Sequence, residues 1–162
     1  MVVTDTDRAA VTAQLGRAPR GLLAVVARCP SGHPAAVTTN PTLPDGTPFP
    51  TLYYLTCPRA TAAVGRLESS GIMRDMTARL ATDGDLAAAY VQAHEAYLAR
   101  RDEIEPLGTT VTAGGMPTRV KCLHVLVAHA LAAGPGVNPF GDEVLALLTE
   151  WGAGGPCVPE PA

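Results

Sequence analysis

Apolar residues occur along this chain in two ways, at helical spacing and in short continuous runs, and glycine and proline divide one from the other. The helical pattern over Asp5 to Leu15 predicts a first helix, with Thr4 as N-cap and Gly16 as the stop. GLLAVVAR, Gly21 to Arg28, reads as a buried strand that Cys29-Pro30 ends. SGHP then turns the chain into a short second strand near Ala35 to Thr39. The prolines at 41, 44, 48 and 50 exclude a central strand over Asn40 to Pro50 and predict an ordered surface loop, with Asp45-Gly46 as a turn. TLYYLT, Thr51 to Thr56, is the third strand, and it too ends in Cys-Pro.

Downstream the pattern is helical. Pro58 suits a first helical position and Gly71 a stop. Further helices are expected over Ile72 to Leu80 and from Asp83 or Asp85 to Glu103, where His94, Glu95, Arg100 and Arg101 read as a solvated face. Thr109 to Gly115 is expected to be a flexible connector, followed by a helix from Pro117 to Gly134. GPGVNPFGDE is expected as an ordered loop before a last helix from Asp142 to Trp151. This order of elements predicts a single α+β domain over residues 1–151: a small three-stranded, antiparallel sheet packed against several helices that cover one face. GAGGPCVPEPA carries no periodicity, so residues 152–162 are expected to be a disordered C-terminal tail.

Composition narrows the function classes. A chain of 162 residues buries roughly 70% of its unfolded surface and needs no staples. A formal charge of −3 and 4% aromatic residues offer neither the basic field nor the stacking surface of a nucleic-acid binder. The apolar runs Leu22 to Ala27 and Leu123 to Ala128 fall far short of the ~20 residues that span a bilayer. The opening residues carry Asp5 and Asp7 and no apolar stretch, which argues against a signal peptide and for the cytoplasm. In that compartment the four cysteines are expected to be free thiols or metal ligands rather than disulfides.

Cys29 and Cys57 each end a strand before a proline, and Cys122 stands in the first turns of the helix after Gly114-Gly115. If the first and third strands run the same way, with the second reversing the chain between them, the sulfurs of Cys29 and Cys57 reach one edge of the sheet. Each sulfur has cations close in sequence: Arg28 beside Cys29, Arg59 after Cys57, and Arg119 and Lys121 before Cys122. Taken singly, each cysteine is more often a small buried hydrophobe than a ligand. Together, the three form a candidate site for zinc or an iron–sulfur cluster. A closed zinc site needs a fourth ligand, for which His33 and His124 are candidates, although on a regular helix His124 points about 160° away from Cys122. A cluster on three cysteines would instead leave one iron open to substrate, and Cys-Pro accompanies such ligation in ferredoxin-type runs. Cys157 lies in the expected tail and is left out of the set.

The run AGGMPTRVK offers a second candidate, in which Gly114, Gly115, Arg119 and Lys121 seat a small anion. A flexible hinge before a capped helix explains it as well. No nucleophile elbow, dinucleotide fingerprint or zincin helix is present. Spacing selects no catalytic residue among carboxylates such as Asp45, Glu68, Asp142 and Glu143.

RCPSGHP, LPDGTPFPTLYYLTCPR, GGMPTRVKCLH and GPGVNPFGDE, in that order, resemble the actinobacterial family catalogued as domain of unknown function 501, over Arg20 to Leu148. The resemblance implies no established activity. It does imply genes near a septum-formation initiator and an exopolyphosphatase, which is association rather than mechanism. Three function classes follow: a three-cysteine metal or iron–sulfur protein, enzymatic where a small anionic ligand sits beside the metal; a non-catalytic, zinc-stabilised or thiol-packed module that binds a protein partner of unknown kind; and a phosphate- or polyphosphate-binding protein. None needs nucleic acid or a membrane.

Overall fold

The computed structural model describes residues 2–148, 151 and 155–158. Helix α1 (Asp5–Leu15) precedes strands β1 (Leu22–Arg28), β2 (Pro34–Thr39) and β3 (Tyr53–Leu55). Helices α2 (Pro58–Glu68), α3 (Ile72–Thr82), α4 (Gly84–Ile104), α5 (Leu123–Ala133) and α6 (Pro139–Leu147) follow. The α+β class read from the sequence is the class observed. No described helix is long and apolar enough to cross a membrane.

The sheet has the order β1-β2-β3, with both pairings antiparallel. All six residues of β2 are buried, because the strand has a neighbour on each side and a layer over each face. On one face Ala36 and Tyr53 join the main core with Leu123, Leu126 and Val127 of α5. On the other, Val25 and Val37 pack against Val11 of α1. The helices therefore do not all lie on one face as expected, because β1 and β2 place apolar residues on both, Val25 and Val37 on one and Val26 and Ala36 on the other. Helix α1 is held there by a capping box between Thr4 and Asp7. The Asp7 carboxylate also takes two hydrogen bonds from the Arg28 guanidinium, at 2.7 and 3.0 Å.

Helix α5 begins at Leu123, six residues after Pro117, where a helix start was expected. Gly114 and Gly115 have φ of 68° and 91°, and the chain makes tight turns here before the helix opens. Helix α6 begins at Pro139, inside the segment expected to be loop, because the Asn138 side chain accepts from the Gly141 N–H and Pro139 needs no donor in the first turn. Gly141 lets α6 lie against α5: a Cβ there would fall on the Leu126 carbonyl and 2.7 Å from the Ala130 Cβ.

The expected solvated face of α4 holds for Glu95 and Arg100, which are exposed, but not for Arg101 and His94. Arg101 is fully buried and donates to the carbonyls of Thr109 and Val111. His94 Nδ1 lies 2.9 Å from Thr112 Oγ1. These bonds fasten the 109–113 connector onto α4, since a charge without water requires such partners.

Candidate metal centre

Strands β1 and β3 run in the same direction across the intervening β2, so their C-terminal ends share the edge where β2 begins. Cys29 follows β1 and enters a tight turn in which its N–H donates to the His33 carbonyl and its carbonyl accepts from Gly32. Cys57 follows β3 and is the N-cap of α2. The Ala35 carbonyl accepts from Thr56 at 2.9 Å and from Cys57 at 3.4 Å, which folds the β3–α2 junction over the start of β2. Between the two cysteines the buried neighbours are Ala35 and Ala60, too small to hold the sulfurs apart.

The third sulfur at this edge is Cys157. One ligand atom from each of Cys29, Cys57 and Cys157 lies within 4.8 Å of the others, and the Cys29 and Cys157 sulfurs are 3.8 Å apart. The segment 155–158 falls within the expected disordered tail, yet it packs against the domain. Arg59 Nη2 donates to the Pro156 carbonyl, Gln14 Nε2 lies 3.4 Å from Cys157 Sγ, and Val158 is buried. The remaining residues of 152–162 lie outside those described. Gln14 also donates to the Pro34 carbonyl, and its Oε1 is buried without a hydrogen-bond partner among the described residues.

Other side chains at this edge behave differently from the sequence expectation. Arg28 turns to Asp7 and the Gly32 carbonyl rather than to Cys29. His33 is not a member of the sulfur group; its Nδ1 is 3.2 Å from Ser31 Oγ, which in turn is 2.9 Å from Cys29 Sγ. Burial pushes the Cys29 thiol up, but hydrogen bonding with Ser31, the His33 backbone and Cys157 outweighs it and leaves the thiol below its ordinary range. Burial, reinforced by the Cys57 and Cys29 sulfurs and opposed by Gln14, pushes Cys157 up to about 11.

Cys122 joins a second group instead. It is the N-cap of α5, and its sulfur, a Glu68 oxygen and a His124 ring nitrogen lie within 4.8 Å of one another. The expectation that residues two apart on a helix diverge does not apply, because Cys122 precedes α5 with φ −148° and ψ 111°. His124 Nδ1 is 3.0 Å from Glu68 Oε1 and its Nε2 is 3.1 Å from the Thr61 carbonyl. Glu68 Oε1 also accepts from the Leu123 N–H at 2.8 Å. Hydrogen bonding with Cys122, and then Glu68 and Thr61, raises His124 to about 9 against the effect of burial. Burial pushes Cys122 up, but His124 and the first amides of α5 bring it below the ordinary thiol range. Glu68 was one carboxylate among several in the sequence; packing of α2 on α5 singles it out.

The glycine turn places its residues beside Cys122 but not as an amide cradle. The N–H groups of Met116, Thr118, Arg119 and Lys121 donate to the carbonyls of Ala113, Gly115 and Gly114 within the turn. The Arg119 and Lys121 side chains are exposed. A separate cavity of about 200 Å³ under α1, lined by residues such as Val11, Phe49 and Tyr54, presents no thiol, imidazole or carboxylate.

A family model described as protein of unknown function (DUF501) matches residues 25–146. The chain belongs to the DUF501 family. Cys29, Cys57, Glu68, Cys122 and His124 lie within the matched span of this DUF501 chain, and Cys157 lies beyond it. Comparison with curated proteins and with solved structures gives no match. The chemistry of this DUF501 chain is therefore argued from its own two side-chain groups.

Proposed function

We propose that this protein binds a single zinc-type ion through Cys29, Cys57 and Cys157, and that the ion fastens the C-terminal segment to the sheet edge. The observation that carries the reading is the sulfur spacing. With metal–sulfur bonds of about 2.3 Å, thiolates on one tetrahedral ion stand about 3.8 Å apart. The Cys29–Cys157 separation is 3.8 Å, and all three sulfurs fall within 4.8 Å. A 4Fe–4S cluster bonds each thiolate to a different iron and a 2Fe–2S cluster takes two on each iron, so three sulfurs gathered at one point favour a single ion. A divalent cation at this point would hold all three sulfurs as thiolates and balance their charge. Three protein ligands leave the fourth position to a water or another small ligand.

The role this supports is non-catalytic: the ion ties together the β1–β2 turn, the start of α2 and a segment near the chain end. Thermal unfolding with and without a strong chelator tests it. A metal present at a thousand times its Kd adds about 4 kcal/mol, roughly 10 °C for a domain of this size. The expected result is a drop on chelation that is larger in the wild type than in the Cys57→Ser protein by that order. Equal melting temperatures with and without chelator in the wild type would leave only packed thiols.

A further inference from the structure

Outside that site, the group formed by Glu68, Cys122 and His124 poses a question of charge. The Thr61 carbonyl can only accept, so the hydrogen bond at 3.1 Å requires a proton on His124 Nε2. The opposite nitrogen, Nδ1, faces a Glu68 carboxylate oxygen at 3.0 Å, and that oxygen also can only accept. Two lone pairs cannot face each other at that distance, so the contact must be bridged by a positive centre, either a proton or a metal ion. The Cys122 sulfur completes a triangle of soft, borderline and hard donors around the same point.

The surroundings are those of an ordered ligand set. A metal-bound histidine usually donates its other N–H to a carbonyl or carboxylate, as His124 does to Thr61, and ligating carboxylates are themselves hydrogen-bonded, as Glu68 is by the Leu123 N–H. Cys122 as N-cap places its sulfur at the positive end of the eleven-residue helix α5.

We propose that Glu68 Oε1, Cys122 Sγ and His124 Nδ1 form a second metal site, for a divalent ion of the zinc type, with a fourth position open to water or a small anion. A mixed nitrogen, oxygen and sulfur ligand set with one free position is an arrangement found in zinc sites that activate water. The exposed side chains of Arg119 and Lys121, on the turn that leads into Cys122, favour an anion over a cation as the exchangeable ligand. Binding displaces any proton on Nδ1 and on the thiol, leaving Nε2–H on Thr61.

Titration of the chelator-treated full chain with Co²⁺, followed by visible and near-ultraviolet absorption, tests the assignment. The wild type is expected to take up two ions, the Cys57→Ser protein one and the Cys122→Ser protein one. In Cys57→Ser the single ion should show the charge-transfer intensity of one cobalt–sulfur bond, and azide should change its visible bands. Glu68→Gln keeps the size and the acceptor for Leu123, so the fold is preserved, and it should weaken this ion at least tenfold. Two ions in Cys122→Ser, unchanged affinity in Glu68→Gln, or a wild type in which no bound ion is lost on Cys122→Ser overturns the second site. Indifference to azide overturns the open position. A wild type that binds one ion, lost in Cys122→Ser and kept in Cys57→Ser, upholds this site and refutes the three-thiolate one.

Discussion

The sulfurs of Cys29 and Cys157 stand 3.8 Å apart although 128 residues separate them in sequence. A bond through a shared ion at this point closes most of the chain into one loop, so its effect on stability depends on both partners being present. Cys157→Ser should lower the melting temperature in the presence of Zn²⁺ and leave it nearly unchanged in chelator. Cys29→Ser and the double variant should behave alike, because removing one ligand already dismantles the set. Thermal scans of the three variants in both buffers check this, and fully additive losses would contradict it.

His129 sets a pH limit on stability. It is buried between Tyr53 and Tyr97, with ring centroids at 5.7 and 5.1 Å, and its Nδ1 accepts from Asn138 Nδ2 at 3.1 Å, so the ring is neutral. Burial, weakly opposed by Asp142, lowers it from 6.5 to about 4. The unfolded chain therefore takes up a proton first as the solution is acidified. Its contribution is complete above pH 6.5 and is lost as pH falls to about 4, amounting to about 3 kcal/mol. Urea midpoints at pH 7 and pH 4.5 should diverge in the wild type and converge by roughly that amount in His129→Phe.

Arg101 should be intolerant of shortening. Its guanidinium is removed from water and holds the carbonyls of Thr109 and Val111. Arg101→Met leaves those carbonyls without their charged donor and is expected to cost about 3 kcal/mol. Limited proteolysis should then cut within 106–115, a stretch resistant in the wild type.

Gly141 sits where two helices touch. Any Cβ meets the Leu126 carbonyl, which is backbone and cannot rotate away, so Gly141→Ala must push α5 and α6 apart. The expected loss is about 3 kcal/mol, from overpacking a tight contact. Gly136→Ala, where a Cβ meets nothing within 4 Å, is a control for local backbone strain at φ 91°. Denaturant unfolding of the pair should show the larger loss at Gly141.

Much of the fold was legible because its cues are local. Thr4, Pro58 and Gly71 mark helix ends, and two reversals between β1 and β3 bring Cys29 and Cys57 to one edge. The third sulfur was not legible: the glycines and prolines around Cys157 give no periodicity, and the residues seen to hold its segment, among them Gln14, Cys29 and Arg59, are far away in sequence. Cys122 was assigned to the wrong partners because Pro117 suggests a helix start that the glycine turn postpones to Leu123. That shift makes Cys122 a cap and turns His124 back toward Glu68. Arg101 gave no sign of burial, since a charge at a helix end reads as solvated until the carbonyls it serves are seen.

X-ray absorption at the zinc edge of the Cys122→Ser protein, loaded with one equivalent, addresses the three-thiolate site alone. It should report three sulfur neighbours at about 2.3 Å and one lighter atom. A first shell of nitrogen and oxygen with one sulfur or none would contradict the shared ion of Cys29, Cys57 and Cys157.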